Sequence, residues 1–133
     1  ETDAVIAAVG GGGLVSGLAL AVKSIKPKCK VYGVQSMNAP AMYNSFRAHQ
    51  LMASQSADTF ADGIAVKAPG NITYDCISKY VDDIALATED EIAAAVLMLL
   101  EKQKIVAEGA GASPVAAAYF DKFNLAGKIL SAS

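Results

Sequence analysis

Ala4-Val5-Ile6-Ala7-Ala8-Val9 runs straight into Gly10-Gly11-Gly12-Gly13, and Leu14 then opens a stretch of helical spacing. An unbroken apolar run marks a strand buried on both faces. Leu14, Leu18, Ala21, Val22 and Ile25 recur at the helical period. A strand, a glycine turn and a helix start make an anion site together. Unpaired backbone N–H groups converge there, and the helix dipole adds partial positive charge. Glycine lets such a turn take positive φ and come close to a bound group. The favoured guest is a phosphate.

Pro27 ends the first helix, and Lys30-Val31-Tyr32-Gly33-Val34-Gln35-Ser36 reads as the next strand. Strand, helix and strand in this order form a βαβ unit with a parallel sheet. The expected class is α/β, a parallel sheet with helices on both faces. A helix is predicted over about 39–49, entered through Pro40, and another over about 72–80 after the Pro69-Gly70-Asn71 turn. The stretch between them, about 50–70, has no clear period. A third strand is predicted over 83–88. Thr88 and Glu91 then form a capping box ahead of a helix that is apolar on most sides, through Ile92, Val96, Leu99 and Leu100. A helix of that kind demands partners, and the full-length protein is expected to be a homo-oligomer. Glu108 to Ala112 reads as a small-residue turn before a helix over about 113–123. A fourth strand is expected to begin at Lys128.

Bulk properties remove several function classes. The net charge of the 133 residues is −2, and the lysines at 23, 26, 28 and 30 flank a proline turn, as a solvated helix end does. Neither nucleic acid nor an anionic membrane surface is expected as a partner. No apolar run is long enough to span a membrane. Cys29 and Cys76 lie far apart with no metal-ligand spacing, which fits free thiols in a reducing cytoplasm. His49, the only histidine, follows a helix among polar residues and is not read as catalytic.

Other readings of the glycines stay open on the residues alone. A dinucleotide frame would use Gly11, Gly13 and Ser16, with serine in the third glycine's place. Gln35 and Ser36 stand where an acid should hold the ribose. No Lys-Ser or Lys-Thr follows the glycines as a Walker loop requires. A ligand-free turn is the bland alternative, against which stands the backbone entropy of four consecutive glycines.

Five segments in order carry a resemblance. They are Val9 to Leu14 with Ser16-Gly17, Val31 to Gln35, Ala61-Asp62-Gly63, Asp82 to Ile92, and Glu108-Gly109-Ala110-Gly111-Ala112. Together they resemble fold type II pyridoxal-phosphate enzymes of the threonine dehydratase and serine racemase branch. The all-glycine loop is similar to the dehydratase side of that branch.

The resemblance implies pyridoxal 5'-phosphate as cofactor, its phosphate held by Gly10, Gly11, Gly12, Gly13 and Leu14. Gly63 would lie against a face of the ring. Glu108 would sit near the ring and the catalytic lysine, unless it serves only as a helix N-terminal carboxylate. Ser133 takes the place of the serine that meets the ring nitrogen, and Asp62 a turn role. The implied reaction is dehydration and deamination of L-threonine or L-serine to a 2-oxo acid and ammonia, with serine racemase-like chemistry as the alternative. The family's Schiff-base lysine lies in a segment resembling S-F-K-x-R-G, which has no match here, so no catalytic residue is assigned within the chain. Residues 1–133 are thus expected to form one partial catalytic domain, inactive alone, without the lysine-bearing segment and the small domain. Racemase-like members hold a divalent cation where this chain has Gln35 and Ala41, so no metal site is expected.

Overall fold

The computed structural model describes all 133 residues, Glu1 to Ser133. Four strands, β1 (Ala4–Ala8), β2 (Lys30–Ser36), β3 (Asp83–Ala87) and β4 (Leu130–Ala132), form one sheet in the order β3-β2-β1-β4. Every pairing is parallel, with Ala4 opposite Lys30, Tyr32 opposite Asp83 and Ala4 opposite Leu130. The C-terminal ends of all four strands therefore share one edge.

Helices cover both faces, as the sequence predicts. On one face, α1 (Gly13–Ile25), α2 (Ala41–Ala48) and α3 (Asn71–Tyr80) bring Val15, Ala19, Met42 and Ile77 against Ala7, Val31 and Ile84. On the other, α4 (Glu89–Met98) and α5 (Gly109–Tyr119) bring Ile92, Ala95, Ala112 and Ala116 against Ile6, Val34 and Ala87. Neighbouring strand residues such as Ile6 and Ala7 serve opposite cores, which is why β1 shows no polar alternation. No helix is long and apolar enough to cross a membrane.

The capping box forms as read. Glu91 N–H donates to Thr88 Oγ1 at 3.1 Å, and Thr88 N–H donates to Glu91 Oε2 at 2.9 Å. Beyond Met98 the backbone widens into one π-helical turn, Leu99–Gln103. Leu97, Leu100, Ile105 and Val106 are exposed there.

Three expectations need correction. The fourth strand starts at Leu130, not Lys128, and α2 starts at Ala41, with Pro40 outside it as its cap. The segment from Glu108 to Ala112 is not a separate turn: Glu108 caps α5, which begins at Gly109 and ends at Tyr119. Ser113-Pro114 imitates a helix start but lies inside the helix. Proline removes the N–H that would pair with the carbonyl four residues back. Here the Ser113 hydroxyl donates to that same Ala110 carbonyl at 2.8 Å, so the helix passes through the proline with the acceptor satisfied.

Candidate active site

At the C-terminal end of β1 the chain leaves the sheet through Val9 and enters the glycine loop. A cleft of about 380 Å³ opens there. Its walls are Gly10, Gly11, Gly12, Gly13, Leu14, Gly63, Glu108 and Ser133, together with Ala8, Ile64, Ala110 and Gly111. All eight residues singled out in the sequence thus face one space, though they come from four separate parts of the chain.

Of the four loop glycines only Gly12 has positive φ, at 96°. A side chain at Gly12 would also meet Ile77 Cδ1 at 2.9 Å, Met42 Cε at 3.0 Å and Thr73 Cβ at 3.0 Å. The backbone N–H groups of Gly10, Gly11, Gly12, Gly13 and Leu14 donate to no group of the chain. These are the orphan donors of a helix start, extended backward by the turn. The carbonyls along the turn are all engaged. Gln35 Nε2 donates to Val9 O at 3.0 Å and lies 3.5 Å from Gly10 O. Thr73 Oγ1 donates to Gly11 O at 2.6 Å, and Ser16 N–H donates to Gly12 O at 3.0 Å.

The opposite wall is built from a short 3₁₀ turn, Asp62–Ile64, packed on the start of α5. Gly63 has no room for a side chain, since a Cβ there would stand 2.9 Å from Ala110 Cβ. Asp62 accepts from Ala65 N–H through its backbone, at 3.1 Å, which is a turn role. Glu108 accepts from Ala110 N–H at 2.9 Å and Gly111 N–H at 2.7 Å, so its carboxylate is fixed at the rim by the helix it caps. Ser133 extends the β4 pairing: its N–H donates to Ile6 O at 2.8 Å, and its carbonyl accepts from Ala8 N–H at 3.0 Å.

Glu89, at the start of α4, anchors the approach to Gly63. It accepts from Ser36 Oγ at 2.6 Å, Thr59 Oγ1 at 3.0 Å and Phe60 N–H at 3.0 Å. Burial pushes its carboxyl upward, but these three donors outweigh that and hold it below the usual carboxylate range. The sequence reading did not single out Gln35 or Thr73 as loop partners, or Glu89 as an anchor. Glu89 and Gln35 each lie in a segment that carries the resemblance, Asp82 to Ile92 and Val31 to Gln35, whereas Thr73 lies in none. No lysine lines the cleft. His49 caps the C-terminal end of α2, away from the cleft walls, and both cysteines are free thiols.

The chain matches the family described as "Pyridoxal-phosphate dependent enzyme" over residues 1–132. It is 48% identical over 128 residues to the L-threonine ammonia-lyase of Thermotoga maritima, covering 96% of this chain and 32% of that protein. To the catabolic L-threonine dehydratase TdcB of Escherichia coli K12 it is 45% identical over 117 residues, covering 88% and 36%. The chain thus spans about a third of the length of these relatives. Among solved structures, a threonine deaminase from T.th. superposes with a TM-score of 0.92 at 32% identity, over 99% of this chain and 48% of that one. The serine racemase of Dictyostelium discoideum gives 0.87 at 32% identity, over 99% and 42%. By the family match across nearly its whole length, the chain belongs to the pyridoxal-phosphate dependent enzyme family.

Proposed function

We propose that the glycine loop holds the phosphate of pyridoxal phosphate, and that the protein containing this chain is an ammonia-lyase. It would convert L-threonine or L-serine to a 2-oxo acid and ammonia. The observation that carries the reading is the row of five free N–H groups from Gly10 to Leu14 on the wall of a cleft. A phosphate dianion can be held by such a nest and a helix start without a lysine beside it.

The remaining walls fit a flat heteroaromatic ring. Gly63, Ala110 and Gly111 line one of them with no side chain larger than a methyl group. The Ser133 hydroxyl is the candidate partner of the ring nitrogen. The Glu108 carboxylate is held in place at the rim by two backbone donors. Bound pyridoxal phosphate supplies an electron sink for the charge left at the α-carbon of an amino acid. The amine that carries the cofactor would come from outside these 133 residues, since the cleft contains no lysine. The chain alone is then a partial domain without turnover.

The curated relatives at 44–48% identity are named as threonine ammonia-lyases or dehydratases, which supports the lyase reading. Threonine deaminase and serine racemase structures both share 30–32% with the chain, so the structural likeness favours neither. Exposed Leu97, Leu100, Ile105 and Val106 support a protein whose other parts or copies cover this face, in a homo-oligomer.

Borohydride reduction of the protein, followed by peptide mapping, tests the assignment. We expect a pyridoxyl-lysine outside residues 1–133 and ammonia release from L-threonine. A protein that takes up no pyridoxal phosphate, or a pyridoxyl group on one of the lysines within these residues, would overturn it.

A further inference from the structure

We propose that Gln35 and Thr73 are positioning residues for the glycine loop, tying back its carbonyls so that its N–H groups stay free for an anion. The inference rests on the reading of the loop as a phosphate site. Its observation is an asymmetry: every carbonyl from Val9 to Gly12 lies within reach of a donor, while no N–H from Gly10 to Leu14 has an acceptor.

A glycine peptide unit has no side chain to fix the orientation of its plane. Left untied, such a plane can turn its carbonyl oxygen toward the cleft and present partial negative charge to a dianion. The two ties come from different elements. Gln35 arrives from β2 and is fully buried. Its amide orientation is set at both ends, because Oε1 accepts from Tyr43 N–H at 2.8 Å while Nε2 donates to Val9 O at 3.0 Å. Thr73 arrives from α3. Its hydroxyl donates to Gly11 O at 2.6 Å, with Gly70 O at 3.1 Å as its other acceptor. Its own carbonyl accepts from Ser16 Oγ at 3.3 Å, which fastens α3 to the first turn of α1.

The test compares equilibrium affinities for pyridoxal phosphate and for pyridoxal, which lacks the phosphate, in the protein and in its Gln35→Leu and Thr73→Val variants. The ratio of the two affinities isolates the loop's contribution from the rest of the site. We expect each variant to lower that ratio roughly tenfold, the factor associated with one hydrogen bond, with pyridoxal affinity unchanged. Gln35 is buried and its replacement can impair folding. Thr73→Val keeps the shape of a partly exposed side chain and decides the matter alone if Gln35→Leu does not fold. An unchanged ratio in Thr73→Val, or equal losses for both ligands, would overturn the proposal. A ratio near one in the unsubstituted protein would remove the phosphate-site reading itself, and this proposal with it.

Discussion

The hydroxyl of Ser36 donates to the carboxylate of Glu89 at 2.6 Å, joining the C-terminal end of β2 to the first residue of α4. From that fixed point the same carboxylate reaches Thr59 and Phe60. The last irregular residues before Gly63 are thereby fastened to the sheet. Replacing Glu89 with alanine leaves these donors without their shared acceptor. We expect a loss of about 1–3 kcal/mol of stability. Faster hydrogen exchange at the Phe60 amide would register the local release. Unchanged exchange there would show that the segment is held by something else.

Two neighbouring loop glycines are expected to respond in opposite ways to alanine. At Gly12 the backbone lies at φ 96° and the new methyl meets Ile77, Met42 and Thr73 at 3.0 Å or less, so Gly12→Ala should destabilise by about 2 kcal/mol or more. At Gly13 nothing lies within 4 Å of the added atom, and the residue is already helical. Gly13→Ala should be neutral, or stabilising by up to about 1 kcal/mol. Denaturant titration of both variants checks the contrast.

Gly63→Ala places a Cβ 2.9 Å from that of Ala110, so the turn must move away from α5 and change the wall of the cleft. Affinity for pyridoxal phosphate and for pyridoxal should fall together, by about tenfold or more for a loss near 1.4 kcal/mol. A selective loss of one ligand would mean that Gly63 acts on the phosphate end.

The Ser113 hydroxyl and the Pro114 ring form a pair that can be dissected. Ser113→Ala orphans the Ala110 carbonyl and should cost about 1 kcal/mol. In a Pro114→Ala background the restored N–H can meet that carbonyl, so the serine change should cost much less. A double-mutant cycle on thermal unfolding measures this coupling. Additive effects would mean that the hydroxyl does not replace the missing donor.

Acid should weaken the fold through three carboxylates. Asp82 and Glu91, like Glu89, are pushed up by burial but held below the usual range by their donors. These donors are Lys23 and Val31 N–H for Asp82, with the charge of Lys30 nearby, and Lys122 and Thr88 N–H for Glu91. A depressed folded pKa stabilises fully above the unfolded pKa, and the gain is lost as pH falls through the folded value. Stability should therefore be level from neutrality to about pH 5 and decline below about pH 4, where the unfolded chain takes up protons first. Asp82→Asn should lower stability at pH 7 and flatten the acid decline, as read by unfolding at several pH values.

What the sequence made legible was local. The apolar run at β1, the capping box at Thr88 and the glycine run each declare themselves within a few residues. Gly10 to Leu14 could be read from the residues themselves, whereas Gly63, Glu108 and Ser133 were named only through the family resemblance. The ties that shape the loop could not be read this way. Gln35 lies 26 residues from Val9, and Thr73 lies 62 from Gly11. Their roles follow from sheet order and helix placement, which no periodicity encodes. Gln35 stood out only as a missing carboxylate, while the structure shows its amide as a two-ended bridge. The start of α5 was misplaced because Gly109 to Ala112 are small residues that read as a turn, and only the structure shows that Glu108 caps a helix there.

The two sides of the cleft are secured by different chemistry. The glycine loop is fastened by a neutral amide and a hydroxyl, neither of which gains or loses a proton across the range in which proteins stay folded. The Gly63 side hangs from a carboxylate that serves all three of its donors fully only while ionised. Acid below about pH 4 should therefore act on the two walls unequally, relaxing the segment before Gly63 while the loop beyond β1 keeps its shape.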